Sequence, residues 1–179
     1  MLILLHWVYH YKEEDGAATL VPDTTMHHAS GASSYKSYKN SFRKVLDTTY
    51  NKSLRVWLYD DPTNNPSLCS TAMVQDATLA TNRSIGINGR YADPNKYCYS
   101  VGDNWYSTTI SRTLGWHEMR FDFVTGNNLK MYIDGNLIYT DNSGAITGFN
   151  RMILGDQWAG YNGTVYYDDV TIEDIDTVQ

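Results

Sequence analysis

Charge is scarce in this chain. Asp, Glu, Lys and Arg make up 19% of its 179 residues, and the formal net charge is −6. Lys and Arg form no cluster. A face for nucleic-acid phosphates needs one, so nucleic acid is excluded as a partner. The same balance disfavours a strongly anionic polysaccharide, unless calcium or a local basic patch intervenes. Cysteine is scarcer still. Cys69 and Cys98 are too few for a disulfide framework or a thiolate zinc site. The sequence leaves open whether they are bridged or are two buried thiols. No apolar run approaches the roughly 18 residues of a membrane helix, so no membrane insertion is expected. The apolar start, residues 1–5, lacks a basic n-region and a full h-region. It reads as a strand or a boundary, with any signal already removed.

Catalytic motifs are also missing. There is no G-x-S-x-G elbow and no H-E-x-x-H. His27 and His28 are lone neighbours in a loop, whereas a zinc site needs three or four converging ligands. Glycoside hydrolysis needs two carboxylates held across a groove. Glu173, Asp174 and Asp176 sit at the chain end, where fraying is expected. Glu118 and Asp122 point the same way on one strand, but alternating charges on a strand usually form a solvated face.

What is present is tyrosine, at 15 residues, with abundant Asn, Ser, Thr and Gly. Such a polar, weakly charged composition fits an extracellular or cell-surface β-protein that meets neutral polar ligands. The length suits one domain, 1–179, with a core that needs no disulfide staple. Met119, Phe121 and Phe123 alternate with Glu118, Arg120 and Asp122. Leu129, Met131 and Ile133 alternate with Lys130, Tyr132 and Asp134. Period two marks strands with two different faces. Residues 125–128 and the pair Asp134-Gly135 supply turns, so three strands form a meander. Further strands are expected over residues 2–11, 17–21, 34–38, 42–46, 54–60, 69–74, 84–88, 97–101, 104–110, 152–154 and 165–172. The expected class is all-β.

Leu54, Val56 and Leu58 form an aliphatic face, while Arg55, Trp57 and Tyr59 form an aromatic and cationic one. The latter is expected to line a groove for a glycan, or to pack under a loop or partner domain. Two loops add candidates. Trp105 and Tyr106 follow Gly102-Asp103-Asn104, and Trp158 and Tyr161 lie in a Gly-rich run flanked by Asp, Gln and Asn. Rings that stack on a pyranose face, with amides and carboxylates for its hydroxyls, suit sugar recognition. Residues 88–91, Asn-Gly-Arg-Tyr, repeat that chemistry.

Several segments carry a resemblance. Trp116-His117 opens a strand, Tyr132-Ile133-Asp134-Gly135 marks a hairpin, and Tyr167-Asp168-Asp169-Val170 lies near the end. Together they resemble the concanavalin A-like, laminin-G-like jelly-roll superfamily, over roughly the last two-thirds of the chain. The similarity is greatest to modules attached to polysaccharide-degrading enzymes and bacterial surface proteins. The resemblance implies a two-sheet antiparallel β-sandwich. It also implies a lectin-like, non-catalytic domain that binds a polysaccharide or oligosaccharide and is linked to neighbouring modules. It implies a structural Ca²⁺ through Asp168 or Asp169, completed by residues near 13–15, against a hydrogen-bonded Asp pair. It makes His117 part of the scaffold. Laminarinase-like hydrolases of the superfamily carry E-x-D-x-x-E or E-x-D-x-E on one strand, and this chain has no such run. The alternatives are a lyase or hydrolase using Glu118, Arg120, Asp122 and Tyr132, or an adhesion domain without a glycan ligand.

Overall fold

Strands with one apolar face must bury it, and two sheets do so against each other. The structure, a computed structural model, describes residues 3–4, 21–28, 34–38, 41–66, 68–78, 81–124, 128–156 and 163–175. All its regular elements are strands: β1 (Ile3–Leu4), β2 (Val21–Asp23), β3 (Ser34–Tyr38), β4 (Ser41–Tyr50), β5 (Ser53–Asp60), β6 (Cys69–Gln75) and β7 (Asn82–Asn88). Then follow β8 (Lys96–Val101), β9 (Asn104–Ser111), β10 (Gly115–Val124), β11 (Asn128–Ile133), β12 (Asn136–Asp141), β13 (Phe149–Gly155) and β14 (Thr164–Glu173).

A large sheet has eight strands, in the order β12-β11-β10-β5-β14-β3-β2, with β1 also on β14. A small sheet has six, in the order β4-β13-β6-β7-β8-β9. Neighbouring strands run antiparallel throughout. This is the expected all-β, two-sheet antiparallel sandwich. Of the expected first strand, only Ile3 and Leu4 fall among the described residues, and the expected strand at 17–21 lies almost wholly outside them.

The alternation read from the sequence sets which side faces inward. Met119, Phe121, Phe123, Leu129, Met131 and Ile133 all enter one hydrophobic core with Leu54, Val56 and Leu58. The small sheet contributes Ala72, Val74, Ile85, Ile87, Tyr97, Met152 and Leu154 to the same core. Asp134 and Gly135 close the β11–β12 hairpin with φ of 49° and 75°. Positive φ at both central residues is the signature of a type I′ turn, which matches the twist of its strands. Gly86 is needed for another reason. A Cβ there would lie 2.5 Å from Ser70 O and 2.8 Å from Thr71 Cα, so only glycine lets β7 approach β6.

Two polar constructions lock the ends. The Arg112 guanidinium donates to both carboxylate oxygens of Asp60, at 2.9 and 2.8 Å, and to the carbonyls of Asn65, Pro66 and Pro94. The pair is shielded, with side chains 1% and 0% exposed, yet each charge is satisfied. At the hairpin, His117 Nδ1 pairs with Asp134 Oδ2 at 2.7 Å, and its Nε2 lies 3.0 Å from Thr113 O. Burial alone would lower the His117 pKa. The Asp134 hydrogen bond and charge and the Thr113 carbonyl outweigh it, so the pKa is raised above 6.5.

Two outcomes follow. Arg112→Gln strands a buried carboxylate and is expected to cost about 3–5 kcal/mol, read as a lower urea midpoint. An unchanged midpoint would contradict the clamp. For His117, a raised folded pKa means its contribution is complete below 6.5 and is lost as pH rises through the folded value. Asp134 is held low, against its burial, by His117 and the Glu118 N–H, so its share is present above 3.8 and lost in acid. The stability gap between wild type and His117→Gln, measured by denaturation across pH, should therefore be widest between 3.8 and 6.5.

Candidate functional site

The core fixes which side chains remain for the two outer faces, and those faces differ in chemistry. On the large sheet, Arg55, Trp57 and Tyr59 of β5 do point outward, as their parity predicts. Trp116, Glu118, Arg120 and Asp122 of β10 lie beside them, in register with Tyr59, Trp57, Arg55 and Ser53. This layer is occupied by the chain itself. His28 stacks on Trp57, with ring centroids 3.9 Å apart and planes 16° from parallel. Trp116 packs edge-on against both His28 and Tyr59. Arg55 is held by Glu173 and, at 3.5 Å, by Glu118. Arg120 lies over the Tyr132 ring and 3.4 Å from Asp122. Asp122 also accepts from Ser53 Oγ at 2.7 Å. The charged set weighed as an acid–base groove is thus a layer of mutually satisfied partners.

Asp168 and Asp169 sit at a β-bulge on this same face, where Asp169 takes φ of 43°. Asp168 Oδ2 accepts from the His28 N–H at 2.7 Å, and its Oδ1 accepts from the Asp169 N–H at 2.8 Å. Asp169 Oδ2 pairs with His28 Nδ1 at 2.7 Å. Calcium takes six to eight hard oxygen ligands. Here three carboxylate oxygens face nitrogen, so this arrangement suits a hydrogen-bonded pair better than a cation. Residues 13–15, expected to complete a calcium shell, lie outside the described residues.

The outer face of the small sheet is built differently. Strand register aligns Arg43, Ile153, Met73, Ser84, Ser100 and Trp105 in one row across all its strands. A second row holds Ser41, Gly155, Thr71, Gly86, Cys98 and Ser107. Arg151, Gln75 and Asn82 form a third. The centre is buried: Ser84 and Ser100 are 0% exposed and Asn88 is 1% exposed. Ser84 Oγ, Ser100 Oγ, Asn88 Nδ2, Asn82 Oδ1 and Arg151 Nε are buried with no hydrogen-bond partner. All five belong to this one face. Asn88 uses its carbonyl oxygen to cap the following turn, through the N–H groups of Arg90 and Tyr91, which leaves its amide nitrogen over. Strands β6, β7, β8, β9 and β13 contain no Asp or Glu.

Both cysteines lie on this face and are free. They are two strands apart, on β6 and β8. Burial pushes Cys69 up to about 12 and pushes Cys98 up as well, so neither is poised as a thiolate.

The structure separates Trp105 from Tyr106, which the sequence grouped as one sugar-binding pair at the start of an expected strand. Both are on β9, where neighbours face opposite sides. Trp105 joins the outer row. Tyr106 turns to the open seam of the sandwich and stacks on Tyr99, which stacks on Tyr139, with centroids 5.2 and 4.8 Å apart. Trp158 and Tyr161 lie outside the described residues. Sequence reasoning singled out Asn88 but missed Ser84, Ser100, Asn82 and Arg151. The available signal was small polar residues at alternate positions of strands that carry no acid.

No family model matches the sequence, and no curated relative matches it. Solved structures do. "Cellulose induced protein, Cip1" superposes with a TM-score of 0.62 at 19% identity, over 87% of this chain and 85% of that one. The Bacillus licheniformis β-glucanase gives 0.59 at 15% identity, over 91% of both chains. The carbohydrate-binding module CBM66 from Bacillus subtilis gives 0.53 at 8% identity, over 87% of this chain and 92% of that one. At such identities the likeness speaks for architecture, and the chain has the concanavalin A-like jelly-roll fold.

Proposed function

We propose that this chain is a non-catalytic carbohydrate-binding domain, and that its ligand meets the outer face of the small sheet. The observation that carries the reading is the set of shielded, unpartnered polar atoms on that face. A buried polar group without a partner costs about 1–3 kcal/mol, and such groups are rare in folded proteins. A glycan offers hydroxyls that donate and accept, and so would suit the serines, the amides and the guanidinium once the shielded face is uncovered. Trp105 at the end of the central row would supply the apolar platform that a pyranose face needs.

The lack of acids on β6, β7, β8, β9 and β13 supports binding over hydrolysis. A glycosidase holds two carboxyl groups about 5–5.5 Å apart to retain configuration, or about 6.5–9.5 Å apart to invert it. An E-x-D-x-E strand would present three acids at alternate positions. β7 presents Ser84, Gly86 and Asn88 there. Among the superposed structures, one is a glucanase and another a carbohydrate-binding module, so the architecture serves both roles. The strands β6, β7, β8, β9 and β13, which carry no acid, support the binding role. Such a domain would work outside the cell, tethering a covalently linked partner to a polysaccharide.

The test is a panel of soluble and insoluble polysaccharides, with retention and turnover both measured. Binding without reducing-sugar release or unsaturated product is expected. Trp105→Ala should weaken binding at least tenfold, the effect of losing about 1.4 kcal/mol of stacking. Trp57→Ala on the other sheet should leave it within twofold. Loss with Trp57→Ala and retention with Trp105→Ala would move the site to the large sheet. Turnover on any bound glycan would overturn the non-catalytic reading.

A further inference from the structure

Tyr91 is the most exposed aromatic side chain among the described residues, at 56%. A lone surface ring is ordinary, but the loop that carries this one is pinned at both ends. Asn88 Oδ1 accepts the N–H groups of Arg90 and Tyr91, at 3.1 and 3.2 Å. The Gly89 N–H donates to Leu68 O and the Ala92 N–H to Asn88 O, both at 3.0 Å. The Asp93 N–H donates to Ser107 Oγ at 2.8 Å. Arg112 donates to the carbonyls of Pro94 and Asn95. Asn88 and Ser107 both belong to the outer face of the small sheet, so the loop rises from its rim. The Arg90 guanidinium lies over one side of the Tyr91 ring, 4.8 Å from its centroid. That contact fixes the orientation of the ring. The exposure therefore comes from the other side, and the Tyr91 hydroxyl makes no hydrogen bond among the described residues. Ordering a loop costs backbone entropy, and a ring left in water returns little of it by burial.

We infer that Tyr91 is the platform on which a neutral sugar unit with equatorial hydroxyls stacks, at the rim of the small-sheet face. The inference rests on the reading that this face binds glycan, and adds a residue and a sugar class. The centre of the face is shielded, whereas Tyr91 is open, so a polymer arriving from solvent reaches this ring without displacing anything. A pyranose whose hydroxyls are all equatorial turns only axial C–H groups toward a ring, and those groups suit its negative π face. A glucose- or xylose-type unit has that shape. An axial hydroxyl, as in mannose or galactose, interrupts it. The net charge of −6 disfavours an acidic unit. The pinned loop loses little freedom on binding, so the stacking is retained as affinity. Asp93 meets Ser107, and Trp105 stands two residues before Ser107 on the same side of β9. Chain reach then keeps Tyr91 and Trp105 within about 20 Å of each other, a gap that a short oligosaccharide spans.

Affinity electrophoresis of the intact protein, in gels containing a β-glucan, a xylan or a galactomannan, tests this. Retardation by the β-glucan or the xylan is expected to exceed that by the galactomannan. Tyr91→Ala should weaken the interaction about tenfold, while Tyr91→Phe, which keeps the ring, stays within about threefold. Tyr38→Ala removes another exposed tyrosine, on β3 of the large sheet, and should change nothing. The urea midpoint of Tyr91→Ala should equal that of wild type, so that lost binding is not lost fold. A lowered midpoint would make the ring structural and overturn the platform. Galactomannan bound as tightly as the other two would overturn the sugar class. Tyr91→Ala retarded like wild type, with Trp105→Ala weakened, would overturn the platform and leave the binding role standing. No retardation in any gel overturns this inference, and no retention across the wider polysaccharide panel overturns the binding role as well.

Discussion

A polar group taken out of water must find a partner, and that constraint divides this molecule into two unlike surfaces. The shared core uses one face of every strand, so the outer faces are what remains. On the large sheet most of the account closes within the chain, although Ser34 Oγ is buried there without a partner. Arg55 meets Glu118 and Glu173, His28 meets Asp169 and Trp57, and Asp122 meets Ser53. On the small sheet it stays open at Ser84, Ser100, Asn82, Asn88 and Arg151. A folded chain that satisfies most of its polar groups on one side and leaves five unmet on the other points, on the second side, toward something it does not contain.

The small-sheet face depends on a rigid frame. Arg112 gathers Asp60 and three loop carbonyls at one end, and Arg83 with Asp141 joins the two sheets near an edge. Gly86 brings β7 tightly against β6 in the middle of the small sheet. These contacts place the hydroxyls and amides on strands, whose geometry is held more precisely than that of loops. Binding to such a surface orders little that was free before, which favours recognition of a stiff polymer.

The sequence disclosed the scaffold well. Met119, Phe121, Phe123, Leu129, Met131 and Ile133 alternate cleanly because one side of the large sheet is polar, and period two survives there. Asp134-Gly135 announced its turn. Less was legible on the small sheet. All of β6 is buried, so apolar and small polar residues share low exposure and the alternation blurs. The face of β5 was correctly read as outward, but its occupant was not visible. His28 reaches Asp169 from 141 positions away, and no local pattern encodes so distant a contact. Trp105 and Tyr106 looked like one feature because the Gly-Asp-Asn run before them reads as a ligand loop, although the strand expected over 104–110 sends them to opposite sides. Arg151 gave no sign at all, since its meaning is the lack of a partner in three dimensions.

The central claim is that one outer face, and not the other, meets a sugar polymer. Hydrogen–deuterium exchange on the intact protein, with and without an oligosaccharide drawn from a bound glycan, addresses it directly. The account predicts added protection in β6, β7 and β13 and little change in β5 and β10. Protection confined to β5 and β10, with β6, β7 and β13 unchanged, would contradict it.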